Sequence, residues 1–268
     1  MNTKLDLIRA RKTIRYFYKM ISSFNTEGGL ANQLFQYAAG YTHAKKMSTE
    51  FFYPSKPPQA TTALRLNGLH EIFKLSALKT GTHGPLYNES HFGFHYNPIP
   101  EVSHLTLYGY FQSEKYFSEY KEDIRKEFTF RNITEFKVPK KTVSIHVRRG
   151  DYLSKPEYHP TCTMEYYQKA MSLFPGYKFL VFSDDKEWCL DWFDFPNTQV
   201  SLSKSAEEEL QRMSLCDHHI LANSSFSWWG AWLNTNKNKR VVAPKKWFGI
   251  VYNSYVVSDI YLPEWTIL

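Results

Sequence analysis

The chain has 268 residues, 43% of them hydrophobic and 22% charged, which is the composition of a folded protein with its own core. No apolar run approaches the ~18 residues that a membrane helix needs, so we expect no membrane span. Of the net charge of +7, most lies in residues 1–20, which hold six basic residues and one acidic residue. The other 27 basic and 25 acidic residues make the body nearly neutral, which disfavours nucleic-acid binding.

The first predicted element is a basic amphipathic helix, and we expect residues 1–22 to form an extension. Its apolar stripe consists of Leu7, Ala10, Ile14, Phe17 and Ile21. Such a helix either covers its own domain or lies on an anionic membrane surface, and the first is the commoner arrangement. The charged start and the absence of a CxxC pair predict a cytoplasmic protein, possible peripheral contact with the membrane being the open alternative. We expect free thiols at Cys162, Cys189 and Cys216.

Residues 23–135 read as an N-terminal domain of irregular sequence. It begins with "GGLANQLFQYAAG" (28–40) and ends with "SEKYFSEYKEDIRKEF" (113–128), where the apolar spacing predicts a helix.

Residues 136–268 read as a C-terminal α/β domain, because strand-like and helix-like stretches alternate. The predicted strands cover 143–147, 178–183, 198–202, 218–222 and 240–243, and the predicted helices cover 163–174, 186–193, 205–216 and 225–233. Alternation of this kind builds right-handed βαβ units on a parallel sheet. An alternative for the final segment is that it packs back on the N-terminal domain.

Polar clusters follow three of these predicted strands, and parallel sheets bind ligands at the carboxyl ends of their strands. The clusters are "HVRRGD" (146–151), "FSDD" (182–185, ending in Asp184 and Asp185) and "NSSFSWWG" (223–230). Adjacent guanidiniums suit a doubly charged oxyanion, and a helix start capped by Asn223 would add N–H groups. The sequence therefore predicts a diphosphate site. The alternative for the arginines is a structural ion pair with Asp151.

Several motifs of other nucleotide sites are missing. The chain has no G-x-G-x-x-G, no P-loop and no Asp-x-Asp, and its histidines show no metal-ligand spacing. Because arginines and helix ends can bind a diphosphate alone, we expect a site without a metal ion or any other cofactor.

Together, "GGLANQLFQYAAG", "SIHVRRGDY", "FSDD" and "NSSFSWWGAWL" resemble the successive motifs of the α-1,2-fucosyltransferases of glycosyltransferase family 11. The resemblance runs from about Gly28 to Trp247. It implies a GT-B-like fold of two Rossmann-like halves that face each other across a cleft, the C-terminal half binding GDP-β-L-fucose. It also implies a metal-independent, inverting transfer of fucose to a galactoside-type glycan, the N-terminal half lying on the acceptor side.

The resemblance also implies roles for individual residues. Arg148 is similar to the arginine that binds the β-phosphate, with His146 and Arg149 beside it. The other donor-site positions are Ser225 and Ser227 at the phosphates, Glu208 or Glu209 at the guanine edge, and Asn32 and Gln33 in a loop across the cleft. One departure is Ala31, where the family usually has glycine; since alanine tolerates a positive φ poorly, we expect an altered turn there.

The expected mechanism follows from charge development. Arg148 would stabilise the leaving phosphate, and a general base would accept the proton of the acceptor hydroxyl. The candidates for the base are Asp151, Glu157 and His159. Two other classes remain open: a GDP-sugar transferase of another linkage, and a non-catalytic nucleotide-sugar or glycan-binding module. The sequence indicates neither the acceptor nor the oligomeric state.

Overall fold

The structure is a computed structural model that describes residues 19–23, 28–54, 68–89, 95–133 and 137–268. The chain divides into two compact units, Met1–Arg131 and Asn132–Leu268. The boundary falls a few residues before the predicted one at 135. Across the described ranges, no helix combines the length and the apolar character that crossing a membrane requires.

The first unit contains a four-stranded parallel sheet in the order β2-β1-β4-β3. Its strands are β1 Met20–Ser23, β2 Glu50–Phe52, β3 Leu86–Asn88 and β4 Leu105–Tyr108. Its helices are α1 Leu30–Lys46, α2 Leu69–Ile72 and α3 Lys121–Glu127. Helix α1 packs closely on the sheet: a Cβ added at Gly40 would lie 2.4 Å from the Phe51 ring.

Two predictions for this unit need correction. Ile21, assigned to the stripe of the N-terminal helix, lies in β1 and is fully buried, so the extension cannot reach residue 22. The rest of that predicted helix, residues 1–18, lies outside the described residues. The helix predicted over 113–128 is two short 3-10 turns, Glu114–Tyr116 and Ser118–Tyr120, followed by α3. The turns are separated by Phe117, whose backbone is not helical and whose side chain is buried.

The second unit contains a six-stranded parallel sheet in the order β10-β9-β8-β5-β6-β7. Its strands are β5 Thr142–Val147, β6 Lys178–Ser183, β7 Thr198–Val200, β8 His218–Ile220, β9 Val241–Ala243 and β10 Thr266–Ile267. Its helices are α4 Met164–Ser172, α5 Lys186–Trp192, α6 Ala206–Ser214 and α7 Ser225–Leu233. The predicted alternation of strands and helices is thus observed.

The central strand of this sheet, β5, is buried along its whole length. Val143 and Ile145 pack with Val181 of β6 and Tyr167 of α4. On β6, the alternate residues Leu180 and Phe182 contact a second cluster that includes Met213 of α6. Helices thus cover both faces of the sheet, as is usual for parallel strands.

Helix α7 brings three tryptophans, Trp228, Trp229 and Trp232, into the core of the second unit. The Trp228 indole donates a hydrogen bond to the carbonyl of Ile260 at 2.6 Å and contacts the Trp265 ring. The final segment then adds β10 beside β9. It therefore belongs to the second unit, and its packing back on the N-terminal domain stays a prediction.

Candidate active site

The three predicted polar clusters meet at the carboxyl-terminal edge of the second sheet. The register pairs Val147 of β5 with Ser183 of β6, and Ile145 with Ile220 of β8. The residues that follow these strands, from Arg148, Asp184 and Leu221 onward, therefore leave the sheet along one edge.

Arg148 is bound by two carboxylates. Its Nη1 lies 2.9 Å from Oδ2 of Asp184, and its Nη2 donates to Oδ1 of Asp151. The guanidinium also lies over the Tyr152 ring, 5.2 Å from the centroid. The ion pair with Asp151, the structural alternative for this motif, is therefore present, and Asp184 provides a second partner.

Arg149 is held by different groups. Its backbone N–H donates to Oδ1 of Asp184 at 2.9 Å, and its Nε donates to Oδ2 of Asp185 at 3.0 Å. Its guanidinium stacks on the ring of Trp188, 3.9 Å from the centroid. Asp184 thus connects the two arginines, because one oxygen accepts from Arg149 and the other from Arg148.

The residue that follows the two arginines, Gly150, lies too close to Asp184 to carry a side chain. A Cβ at this position would lie 2.5 Å from Oδ2 of Asp184, the atom that contacts Arg148. Any side chain here would move the Asp184 carboxylate or the loop. The glycine is required by close approach and not by a positive φ.

The charges of this cluster nearly balance, since two guanidiniums contact three carboxylates. The network fixes both arginines in position. A doubly charged anion that binds here must share them with Asp151, Asp184 and Asp185. The site is thus less electropositive than the motif alone suggested.

His146 does not lie on the accessible edge, contrary to its assignment as a catalytic residue. It is 4% exposed, packs 5.5 Å from the Phe226 ring, and its Nδ1 is buried with no hydrogen-bond partner among the described residues. Burial, helped by the charge of Arg148, lowers the pKa of His146 to about 3. The ring is therefore neutral near pH 7, and its position fits a packing role.

The start of α7 differs from the prediction in two respects. Ser224 caps the helix, accepting from the Phe226 N–H at 3.3 Å, while the Asn223 amide donates to the carbonyls of Pro160 and Trp247, each at 2.9 Å. Ser227 is fully buried and donates to the carbonyls of Ala222 and Ser224, which excludes an exposed phosphate contact. Of the predicted phosphate hydroxyls, only Ser225 is partly exposed, in the first turn.

Glu208 and Glu209 occupy the first turn of α6 and have different partners. Glu208 accepts from the Lys204 N–H at 3.1 Å and lies 3.7 Å from Arg212, so the alternative of a favoured charge at a helix start is observed. Glu209 pairs with Lys186 at 3.1 Å, and burial raises its pKa. Their role in guanine recognition stays a prediction.

The three candidate bases lie near Arg148 in sequence and differ in environment. Asp151 is largely exposed but engaged by Arg148, and Glu157 is exposed. His159 stacks on Tyr152 with centroids 4.8 Å apart, and burial lowers its pKa, so the ring is neutral and able to accept a proton.

In the first unit, Asn32 and Gln33 lie in the first turn of α1 and not in a loop. Asn32 accepts from Nε2 of Gln112 at 2.9 Å, whereas Gln33 is buried and donates to the Gly28 carbonyl at 3.3 Å. The expected disturbance at Ala31 is wrong: Ala31 is helical, and the positive φ, 78°, belongs to Gly28.

Sequence reasoning missed Trp188 and Tyr152, the two aromatic residues beneath the arginines. Tyr152 directly follows "RRGD", so its position was a signal for its contact with Arg148. Trp188 has a weaker signal: it follows Asp185 by three residues, and Asp185 caps α5 by accepting from the Trp188 N–H at 3.2 Å. Within the described ranges, no group of three or more His, Cys, Asp or Glu residues is placed to hold a metal ion, and the three cysteines are free.

The family model of glycosyl transferase family 11 matches residues 12–268. This chain belongs to glycosyltransferase family 11. An α-1,2-colitosyltransferase of Escherichia coli is 30% identical, the match covering 82% of this chain and 90% of the relative. The O-antigen biosynthesis glycosyltransferase WbnK of Escherichia coli is 28% identical, with 88% and 97% covered. The galactoside α-(1,2)-fucosyltransferase 2 of Oryctolagus cuniculus is 23% identical, with 91% and 75% covered.

Among solved structures, the fucosyltransferase NodZ from Bradyrhizobium aligns with a TM-score of 0.53 and 13% identity, covering 80% of this family 11 chain and 92% of NodZ. At that identity the likeness shows the fold alone. The expected GT-B-like α/β class is confirmed, with a parallel sheet in each unit.

Proposed function

We propose that this glycosyltransferase moves L-fucose from GDP-β-L-fucose to a hydroxyl of a galactoside-type glycan, with inversion and in α-1,2 linkage. The observation that carries the proposal is the pair Arg148 and Arg149, fixed by Asp184 at the strand ends beside the first turn of α7. The names of two relatives, an α-1,2-colitosyltransferase and a galactoside α-(1,2)-fucosyltransferase, support the linkage.

The transfer of fucose requires the site to stabilise a leaving diphosphate. As the bond between fucose C1 and the β-phosphate breaks, C1 gains positive charge and the phosphate gains negative charge. Arg148 is already oriented by Asp151, Asp184 and Tyr152, so little reorganisation is needed as this charge develops. Ser225 and the N–H groups at the start of α7 would contact the phosphates from the other side.

The acceptor hydroxyl must lose a proton as it attacks C1. His159 and Asp151 both lie near Arg148, and a positioned base contributes roughly 10²- to 10⁴-fold. Asp151→Asn and His159→Gln, each assayed over a range of donor concentrations, identify the base: its removal should lower kcat with little effect on KM for GDP-fucose.

The proposal includes transfer without a metal ion, since guanidiniums and helix-end N–H groups can counter the leaving diphosphate. Activity in excess EDTA should equal activity in added Mg²⁺ or Mn²⁺. Strict dependence on a divalent cation would contradict this part of the proposal.

A second candidate donor carries colitose, which is L-fucose without its 3-hydroxyl. The 30% identity to an α-1,2-colitosyltransferase favours it. Comparison of kcat/KM for GDP-L-fucose and GDP-colitose with one acceptor decides between them. A site that hydrogen-bonds the 3-hydroxyl should strongly prefer fucose, because the deoxy sugar leaves its polar partner unpaired.

The main test is GDP release from GDP-fucose, with and without a panel of β-galactosides and N-acetyllactosamine-type acceptors, followed by linkage analysis of the product. We expect acceptor-dependent release and an α-1,2 product. An α-1,6 product would favour a transferase of another linkage. GDP binding without turnover on any acceptor would favour the non-catalytic module.

A further inference from the structure

We propose that Trp188 is a positioning residue for the donor diphosphate, because its ring sets the orientation of the Arg149 guanidinium. The inference rests on the proposed function and names a residue that neither the motifs nor the relatives point to. The structure supports it with three contacts.

The first contact is the stacking itself. The Arg149 guanidinium lies 3.9 Å from the centre of the Trp188 ring, well inside the ~6 Å at which a cation is attracted to an aromatic face. The Arg149 side chain is 18% exposed, so the contact is largely shielded from water. Shielding strengthens the attraction.

The second contact is a hydrogen bond that fixes how the Arg149 guanidinium is turned above the Trp188 ring. Nε of Arg149 donates to Oδ2 of Asp185 at 3.0 Å, while Oδ1 of the same carboxylate accepts from the Trp188 N–H at 3.2 Å. Asp185 thus holds the arginine and the start of α5 together. The cap fixes the backbone from which the Trp188 ring projects.

The third contact is between the rings of Trp188 and Trp192. The two indoles are stacked, with centroids 5.4 Å apart and planes 15° apart. Trp192 itself is 54% exposed.

These contacts occupy Nε and one face of the guanidinium but leave its far end open. The two terminal nitrogens of Arg149 make no hydrogen bond to any residue in the described part of the chain. In Arg148, by contrast, both terminal nitrogens contact carboxylates. Arg149 therefore presents a fork of fixed orientation that matches two phosphate oxygens.

The test is a double-mutant cycle on GDP affinity, measured by calorimetry with the full chain. Trp188→Leu should weaken GDP binding about 5- to 30-fold. Arg149→Met should weaken it at least as much. The double variant should bind like Arg149→Met alone, because Trp188 acts only through the arginine.

Two further variants distinguish a loss of guanidinium orientation from a general destabilisation of the fold. Trp188→Phe keeps an aromatic face and should restore affinity to within about threefold of wild type. Leu190→Ala shortens an exposed side chain of the same helix and should leave affinity unchanged. Melting temperatures of all variants check that each is folded; if Trp188→Leu does not fold, Trp188→Met, which also lacks an aromatic face, replaces it in the cycle.

Normal affinity in Trp188→Leu, or losses that add in the double variant, would overturn the inference. The same titrations with inorganic pyrophosphate distinguish it from the proposed function. Wild type that binds pyrophosphate but not GDP would contradict the nucleotide donor, and the cycle would then be read with pyrophosphate. Wild type that binds neither overturns both.

Discussion

Arg148 is the residue on which the proposed chemistry depends most. Arg148→Ala should lower kcat by about 10²- to 10³-fold, as is typical when one donor to a developing charge is removed, and Arg148→Lys should also be poor because the bidentate fork is lost. Arg240→Ala is a matched control. Arg240 precedes β9 at the opposite edge of the same sheet and also lies over an aromatic ring, that of Phe174. Near-normal turnover of Arg148→Ala would show that the phosphate contact is elsewhere.

Gly150 allows a second test at the same scale. Gly150→Ala should displace the Asp184 carboxylate, whose Oδ2 would lie 2.5 Å from the new Cβ, and so misplace both arginines. We expect a loss of activity out of proportion to any fall in melting temperature, since the loop is partly exposed. The measurements are kcat/KM and thermal unfolding. An Ala variant with wild-type activity would mean that the arginine geometry does not depend on Asp184.

The start of helix α7 depends on two adjacent residues, Asn223 and Ser224, with different roles. Ser224→Ala removes a cap and should cost about 1 kcal/mol. Asn223→Ala removes three hydrogen bonds. It leaves the Cys162 thiol without its acceptor and the carbonyls of Pro160 and Trp247 without their donor, at about 1–3 kcal/mol for each buried group. Urea unfolding should therefore rank Asn223→Ala as the less stable variant. The opposite order would show that the hydrogen bonds of Asn223 contribute less to stability than the Ser224 cap does.

The strands and helices of the second unit were predictable because their signals are local. Alternating apolar residues mark β5, and serine or aspartate precedes α5, α6 and α7. The partners of the site residues were not predictable, because they depend on tertiary contacts. Nothing local shows that Ser227 turns inward to the Ala222 carbonyl, that His146 is buried, or that Asp184 contacts both arginines.

The molecule as a whole contains several buried neutral histidines. Burial lowers the pKa of His43 and His70 in the first unit and of His219 and His146 in the second, to about 3 for His146. The unfolded chain binds protons at these sites near pH 6.5, whereas the folded chain resists them. Their contribution to stability is therefore complete above about pH 6.5 and is lost as pH falls towards the folded pKa values.

We expect the free energy of unfolding to fall steadily from pH 7 to pH 5. His146→Leu should make this decline shallower, because the variant cannot titrate and the Nδ1 that it removes has no described partner. Denaturant titrations at each pH measure the slope. An equal slope in His146→Leu would indicate that His146 is not a source of the acid sensitivity.

The role of the basic N-terminal segment can be tested by deletion. Because Met20 and Ile21 belong to β1, a deletion should stop at residue 18 to spare the sheet. If the segment binds membranes, wild type should sediment with anionic vesicles at low salt and the truncated chain should not. If it caps the fold, truncation should lower the melting temperature, and neither form should bind vesicles; we favour this outcome.

The tryptophans of α7 and their neighbours have a practical consequence for measuring such effects. All seven tryptophans of the chain lie between Trp188 and Trp265, and therefore in the second unit. Intrinsic fluorescence excited at the red edge of indole absorption reports that unit alone. The first unit has no tryptophan and is seen only by a probe that reports both units, such as far-ultraviolet circular dichroism of the backbone. Disagreement between the two signals during denaturation would reveal that the units unfold at different points, and one midpoint would then not describe both.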